Sequence, residues 1–201
     1  NTTAAYLAEK CAGLGLSCYH QDVVGDNEES LSETIRLALT RADIILLSGG
    51  LGPTQDDLTK EAAAKVMGKE LYLHEPSKEA IRQFFAERNM EITENNWKQA
   101  MVPEGCIVVE NPGGTAPGII IAENGKHVVL MPGPPGELIP MFERSIMPYL
   151  AGLTTGVIYS QTVKICGVGE SKAESMVEDL VNAQDNPTIA TYAKTGEVRL
   201  R

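Results

Sequence analysis

The 201-residue sequence contains no block of lysine or arginine: 17 basic residues stand against 27 acidic ones, for a formal net charge of −10. The electrostatic footprint of a nucleic-acid binder is therefore missing, and an anionic partner has to be held locally, by helix termini or by a metal ion. Cysteine and histidine are scarce as well. Cys11, Cys18, Cys106 and Cys166 are scattered without Cys-x-x-Cys spacing beside only three histidines, which indicates neither a zinc site nor a disulfide framework and predicts reduced thiols. No apolar run approaches the ~20 residues that span a bilayer, and no signal peptide is recognisable. A cytoplasmic location is expected, with neither membrane nor nucleic acid as partner. Repeats and low-complexity tracts are also missing. What remains is a globular composition: 43% apolar residues suffice for a core, and the length predicts one domain with a small appendage, divided as 1–150 and 151–201.

The most informative stretch is residues 43 to 68, DIILLSGGLGPTQDDLTKEAAAKVMG. Ile44 to Leu47 is a short unalternating apolar run, which suits a strand buried on both faces of a parallel sheet. Gly49, Gly50 and Gly52 then permit backbone shapes that a side chain forbids. Leu58, Ala62 and Val66 recur every four residues and Gly68 stands at a helix stop, so Asp57 and Thr59 fall at a helix start. Free N–H groups and the positive end of the helix dipole collect there, at the sheet edge where α/β proteins bind ligands. No Gly-Lys-Ser/Thr follows, which excludes a Walker loop, and Gln55 occupies the third glycine's place of a dinucleotide fingerprint.

Around this stretch, helical spacing covers Ala4, Leu7, Ala8 and Cys11, with Thr2 or Thr3 as cap. Leu16 to Val24 reads as a strand, and Gly25-Asp26-Asn27 turns into a helix bearing Leu31, Ile35, Ala38, Leu39 and Ala42. Asp26 thus sits at a second strand-to-helix junction. Loops after successive parallel strands meet on one edge, so Asp26 and Asp57 can approach, and two carboxylates there suggest magnesium. On local sequence alone, Asp26 reads as a helix cap. Helical patterns run through Ile81, Phe84 and Phe85 and again from Glu94 through Trp97 to Met101, with the aromatics as core. His74 reads as a cap or surface residue. A short strand at Cys106 to Val109 leads into the glycine-rich NPGGTAPG, Asn111 to Gly118. Asn124-Gly125 between two apolar runs, 118–122 and 127–131, signals a hairpin. Pro132 to Leu138, PGPPGEL, then forms an anion nest at the start of a helix carrying Leu138, Phe142 and Ile146. A boundary is expected at 151–156. Beyond it Val157 to Cys166 reads as a strand, Ala173 to Val181 as a helix, and Thr188 to Ala193 with Val198 to Leu200 as a hairpin.

Ser48 to Glu61, SGGLGPTQDDLTKE, resembles the SGGxGPTxDDxTxE signature of the CinA (competence/damage-inducible protein A) family, within the molybdopterin-binding-like superfamily. NPGGTAPG and PGPPGEL are similar to that family's NPxGTAPG and PGPPxEM. The resemblance implies an α/β fold, a mainly parallel sheet flanked by helices, followed by a small α+β module. It also implies a strand with a Gly-Thr-Glu segment ahead of the first helix and, in many members, a C-terminal nicotinamide-nucleotide amidohydrolase domain; neither is among these 201 residues, and both ends are expected to be trimmed, the first domain of its first strand and the small module at its end. The implied activity is metal-dependent cleavage of the diphosphate of ADP-ribose or a related dinucleotide. The alternatives are a pterin-binding or adenylyltransferase-like module and a non-catalytic interaction protein. In the related adenylyltransferases the acidic residues matching Asp26 and Asp57 are the important ones, while Asp56 is peculiar to the CinA side. Asp57, with Asp56 and Asp26, is then expected to hold Mg2+ or a similar divalent ion. Ser48, Gly49, Gly50, Gly52, Thr54 and Thr59 in the first loop are expected to bind substrate. Asn111, Gly114 and Thr115 in the second loop, and Pro132, Gly133, Gly136 and Glu137 in the third, join them. A phosphorylated nucleotide or pterin is the expected partner, and a homo-oligomer the expected assembly.

Overall fold

The computed structural model describes residues 2–154 and 160–201. They form two units that divide between Thr155 and Gly156. The first opens with helix α1 (Thr2–Gly13) and α2 (Glu28–Arg41), followed by strand β1 (Ile44–Ser48) and helix α3 (Thr59–Val66). A two-stranded antiparallel ribbon of β2 (Leu71–Leu73) and β3 (Met101–Pro103) encloses α4 (Glu75–Glu87) and a 3-10 segment, Glu94–Ala100. Strands β4 (Ile107–Val109), β5 (Gly118–Glu123) and β6 (Lys126–Met131) complete the main sheet. A final helical run comprises α5 (Pro135–Met141), a π turn (Phe142–Ile146) and α6 (Met147–Ala151).

The α/β class holds, and the sheet is mixed. Its order is β1-β6-β5-β4; β1 and β6 run parallel, whereas β5 is antiparallel to both of its neighbours. The hairpin is the cause: Asn124 and Gly125 have φ values of 52° and 76°, the left-handed pair that a tight turn between twisted strands requires. The parallel register aligns Ser48 with Met131, so the two strands end together.

Alternation along β5 and β6 builds two cores. Ile120, Val129 and Met131 face one way, onto Leu7, Leu138, Phe142, Ile146 and Leu150 from α1 and the last helical run. Ile119, Ile121, Val128 and Leu130 face the other way, onto Ile35 of α2 and Ala62 and Ala63 of α3. The sheet is therefore covered on both faces, as its apolar strands require. Helix α2 is fixed at its start by Asn27, whose side-chain oxygen accepts from the Ser30 amide at 3.0 Å, with Glu28 and Glu29 in the first turn and Arg41 in the last. A third cluster, Ile81, Phe85 and Ala100 with Phe84 and Trp97 against it, lies beneath the ribbon.

Several expected elements take other forms. Leu16 to Val24 is no strand: among the described residues no strand pairs with it, and Tyr19 and Val23 are 85% and 91% exposed. A strand exists only through a hydrogen-bonding neighbour, and the sheet stops at β1. Between this run and β1 lies a cavity of about 980 Å3, lined by Leu7, Cys11, Ile35, Ala38, Ile44 and Leu46 among others. Residues 94–100 wind as a 3-10 segment, not an α-helix, opened by a capping box in which the Thr93 amide donates to the Asn96 side chain at 2.9 Å.

In the second unit, β7 (Val163–Cys166), β9 (Glu197–Leu200) and β8 (Thr191–Lys194) form an antiparallel sheet in the order β7-β9-β8, with α7 (Glu170–Met176) and α8 (Glu178–Asn182) between β7 and β8. The expected strand start at Val157 lies outside the described residues. The single helix expected over Ala173 to Val181 is two, because the backbone leaves helical angles at Val177 (φ −119°, ψ 14°). The hairpin turns through Gly196 at φ 80°.

Phe142 is fully buried at the centre of the first core. Phe142→Ala should lower the unfolding free energy by about 3–5 kcal/mol, read from denaturant melts, while Leu37→Ala on the exposed face of α2 should leave it nearly unchanged. Equal effects at the two positions would contradict this packing.

Candidate functional site

Where β1 and β6 end side by side, their following loops lie against each other through glycine. The Gly49 amide donates to Met131 O at 2.9 Å. A Cβ placed on Gly133 would sit 3.4 Å from the Gly49 Cα, in van der Waals contact, so the two loops pack closely here. Gly49 and Gly50 take φ values of 93° and 67°. A Cβ on Gly50 would fall 2.1 Å from the Thr59 hydroxyl, and the Thr59 amide donates back to Gly50 O at 3.2 Å. Thr59 is buried by this contact, which closes the loop from Gly50 onto the first residue of α3.

Inside that loop Asp57 turns back. Its Oδ2 accepts from the Thr54 amide at 2.9 Å and the Thr54 hydroxyl at 2.6 Å. Gly52 makes room for it, since a Cβ there would lie 2.4 Å from the same oxygen. Partial burial alone would raise the Asp57 pKa. The Thr54 hydroxyl, the Thr54 and Gly52 amides and the positive charge of Lys98 outweigh burial and hold the carboxyl below its usual range. Asp57 is therefore ionised at neutral pH and closes a loop. It does not cap α3, whose N-cap is Leu58 without any side-chain bond. Asp56 is exposed to solvent.

The second and third loops are joined by a side-chain pair. Asn111 Nδ2 donates to Glu137 Oε2 at 2.7 Å and to Ala116 O at 2.8 Å, and its Oδ1 accepts from the Gly113 amide at 3.2 Å. Gly114 is needed beside them, because a Cβ would lie 2.0 Å from Glu137 Oε2. Thr115 is half-buried in the same loop, Pro132 is buried at the end of β6, and Gly136 is exposed in the first turn of α5. The Glu137 and Leu138 amides both return to Pro134 O.

The three loops thus meet, 48–59 with 131–137 through Gly49 and Gly133, and 111–118 with 131–137 through Asn111 and Glu137. Asp26 reaches the site differently. It is exposed, Asn27 and not Asp26 caps α2, and Asp26 lines the cavity along β1 together with Ser48, Gly49, Gly50 and Thr59. Asp57 and Asp56 do not line that cavity. Among the described residues no group of three or more His, Cys, Asp or Glu side chains is placed to hold a metal. The donors present fit a hard cation bound through one carboxylate and the ligand's own phosphate oxygens, the manner in which Mg2+ is commonly held, and do not fit an all-protein cage.

Sequence reasoning missed the residues behind the loop. Lys98 Nζ donates to Thr54 O at 2.8 Å and Asp57 O at 2.6 Å, and Gln99 Nε2 donates to Leu51 O at 3.3 Å. Lys60 is buried and its ammonium donates to Lys98 O at 2.5 Å. The sequence carries no local signal for Lys98 and Gln99, because these partners lie more than forty positions away.

Two strand-to-helix loops packed together at the shared end of a parallel strand pair mark the ligand-binding edge of an α/β domain. The family described as "Probable molybdopterin binding domain" matches residues 1–152, and that described as "Damage-inducible protein CinA KH domain" matches residues 160–201. The chain belongs to the CinA family. Over its whole length it is 51% identical to a CinA-like protein of Dictyoglomus turgidum and 52% identical to a putative competence-damage inducible protein of Clostridium acetobutylicum. It spans 49% of each, about half the length of these curated relatives. A crystal structure of the protein CinA, of unknown function, from Thermoplasma acidophilum is 34% identical, superposes with a TM-score of 0.68, and is matched over 75% of this chain and 88% of that one. No helix among the described residues is long and apolar enough to cross a membrane.

Burial above all, and then the charge of Lys98, lower the Lys60 pKa from 10.5 to about 8, against the raising effect of Glu61 and Asp57. Between pH 8 and 10.5 the unfolded chain keeps a proton that the folded chain has released, so Lys60 makes stability rise with pH across that window. The fall from 10.5 to about 8 is worth about 3 kcal/mol. Denaturant melts should show wild type gaining up to about that much relative to Lys60→Met between pH 8 and 10.5. A difference between the two proteins that stays constant over the window would contradict it.

Proposed function

We propose that this domain cleaves the diphosphate of ADP-ribose or a related dinucleotide with the help of a divalent ion such as Mg2+. The observation that supports this most is the meeting of three glycine-rich loops at the shared end of β1 and β6, with one ionised carboxylate, Asp57, fixed within the first of them. Backbone amides of the glycine loop and of the turn into α5 would hold the diphosphate oxygens, as such nests do for anions. Asp57 is pre-aimed by Thr54 and Gly52 and needs no rearrangement to present its charge. Asp56 stands next to it in solvent, available to the same ion. When bound, the ion supplies charge neutralisation at the diphosphate and an activated water. Asp26, on the cavity that runs up to Ser48 and Gly49, would meet the part of the ligand that extends along β1.

A second reading is favoured by the family description over residues 1–152: a pterin-binding module, or one that transfers a nucleotide to a pterin. The same loops would serve it. Product analysis separates the two, since hydrolysis of ADP-ribose yields AMP and a ribose phosphate, whereas transfer leaves the nucleotide on an acceptor.

Asp57→Asn keeps the size of the side chain and one acceptor oxygen for Thr54 while removing the charge that a hard cation requires. The variant should melt within a few degrees of wild type, roughly the effect of one altered hydrogen bond. It should lose divalent-ion-dependent hydrolysis of ADP-ribose by about 100-fold or more, and gain no thermal stability from metal and nucleotide added together. Asp56→Asn should lose less. Unchanged turnover in Asp57→Asn would refute the metal role; a large drop in melting temperature would make Asp57 a structural carboxylate.

A further inference from the structure

The 3-10 segment Glu94–Ala100 approaches the glycine loop from behind and takes hold of three of its carbonyls. Leu51 O accepts from Gln99, and Thr54 O and Asp57 O both accept from the Lys98 ammonium. These bonds join residues more than forty positions apart. They bear on the other face of the loop through peptide geometry. In a planar trans peptide the N–H of the following residue points opposite to the carbonyl. Carbonyls 51, 54 and 57 turned toward Lys98 and Gln99 therefore turn the amides of Gly52, Gln55 and Leu58 away from them.

One of the three amides shows what lies on that far face. The Gly52 amide meets the Asp57 carboxylate, the group proposed to hold the cation. The other two, Gln55 and Leu58, donate to no acceptor among the described residues. Lys98 is itself fixed from below: its own carbonyl accepts from the buried Lys60 ammonium, and its Nζ lies 3.8 Å from Glu61 Oε1. Two ammonium groups and a buried glutamine thus serve the back of one loop, an expensive arrangement unless the front requires a set shape.

We infer that Lys98 and Gln99 are positioning residues of the site, holding the glycine loop so that the Gln55 and Leu58 amides face the ligand and receive a diphosphate oxygen beside Asp57. The inference rests on the diphosphate-binding reading and deepens it. Lys98 does not touch the ligand; it acts through the peptide groups that it orients.

Pyrophosphate titrated into 15N-labelled protein without metal tests this independently of turnover. In wild type the Gln55 and Leu58 amide resonances should move most among loop residues. Lys98→Met should weaken pyrophosphate binding about tenfold or more, because two charge-assisted bonds that shape the loop are lost. Lys98→Arg, which keeps a cation with several donors, should recover most of the affinity. If Lys98→Met does not fold, Gln99→Met in the same titration takes its place and should weaken binding in the same direction. Pyrophosphate shifts that map away from Gln55 and Leu58, or a folded Lys98→Met or Gln99→Met that binds as tightly as wild type, would overturn the inference. A wild type that binds pyrophosphate in this Lys98-dependent way yet leaves ADP-ribose uncut would overturn the hydrolytic reading and support the loop assignment.

Discussion

The contact between Gly49 and Gly133 is the constraint on which the site depends. Two parallel strands that end in register deliver their loops to one place, and Gly49 supplies there a φ of 93°, which a residue with a Cβ rarely adopts. The Gly49 amide donates to Met131 O, and a Cβ on Gly133 would lie in van der Waals contact with the Gly49 Cα, so the loops pack closely. The peptide groups of both loops are then close enough to address one small anion. Further glycines extend the same logic outward: Gly50 yields to the Thr59 hydroxyl, Gly52 to the Asp57 carboxylate, and Gly114 to Glu137. Each marks a spot where a polar side chain closes a loop by taking the space that a Cβ would fill.

Polar groups buried behind the loop complement this. Lys60 is nearly inaccessible, its ammonium donates to the carbonyl of Lys98, and its pKa falls to about 8. Burying an ammonium is unfavourable by itself. Here the unfavourable burial lies next to charge-assisted bonds from Lys98 that fix the loop carbonyls, so stability and loop shape are coupled in one network of neighbouring residues. At the proposed site backbone dipoles, and not surface lysines, would face an anion and offset the net acidity of the chain locally.

What was legible in the sequence was local. Asn124-Gly125 announces its hairpin because the left-handed turn is a property of those two residues. The glycine loop and the proline-rich turn after β6 announce themselves for the same reason, and both lie where a parallel sheet presents ligand loops. What depended on distant partners was not legible. Leu16 to Val24 has a strand's composition, yet without a neighbour it stays a solvent-exposed run. The strands β2 and β3 span three residues each, too short for a period to show. Asp26 and Asn27 are adjacent and both suit an N-cap; register decided for Asn27. Lys98 and Gln99 carry no local mark at all, since their roles come from carbonyls that the fold brings to them from the first loop.

The central claim, that loops 48–59 and 131–137 form one diphosphate site with Asp57, is tested most directly by a crystal structure of the protein soaked with ADP-ribose and Mg2+. The account predicts diphosphate density between Gly49 and Gly133, within hydrogen-bond distance of loop amides, with the ion between a phosphate oxygen and the Asp57 carboxylate. Ligand bound elsewhere on the domain, or a diphosphate in the loops with no ion beside Asp57, would contradict it.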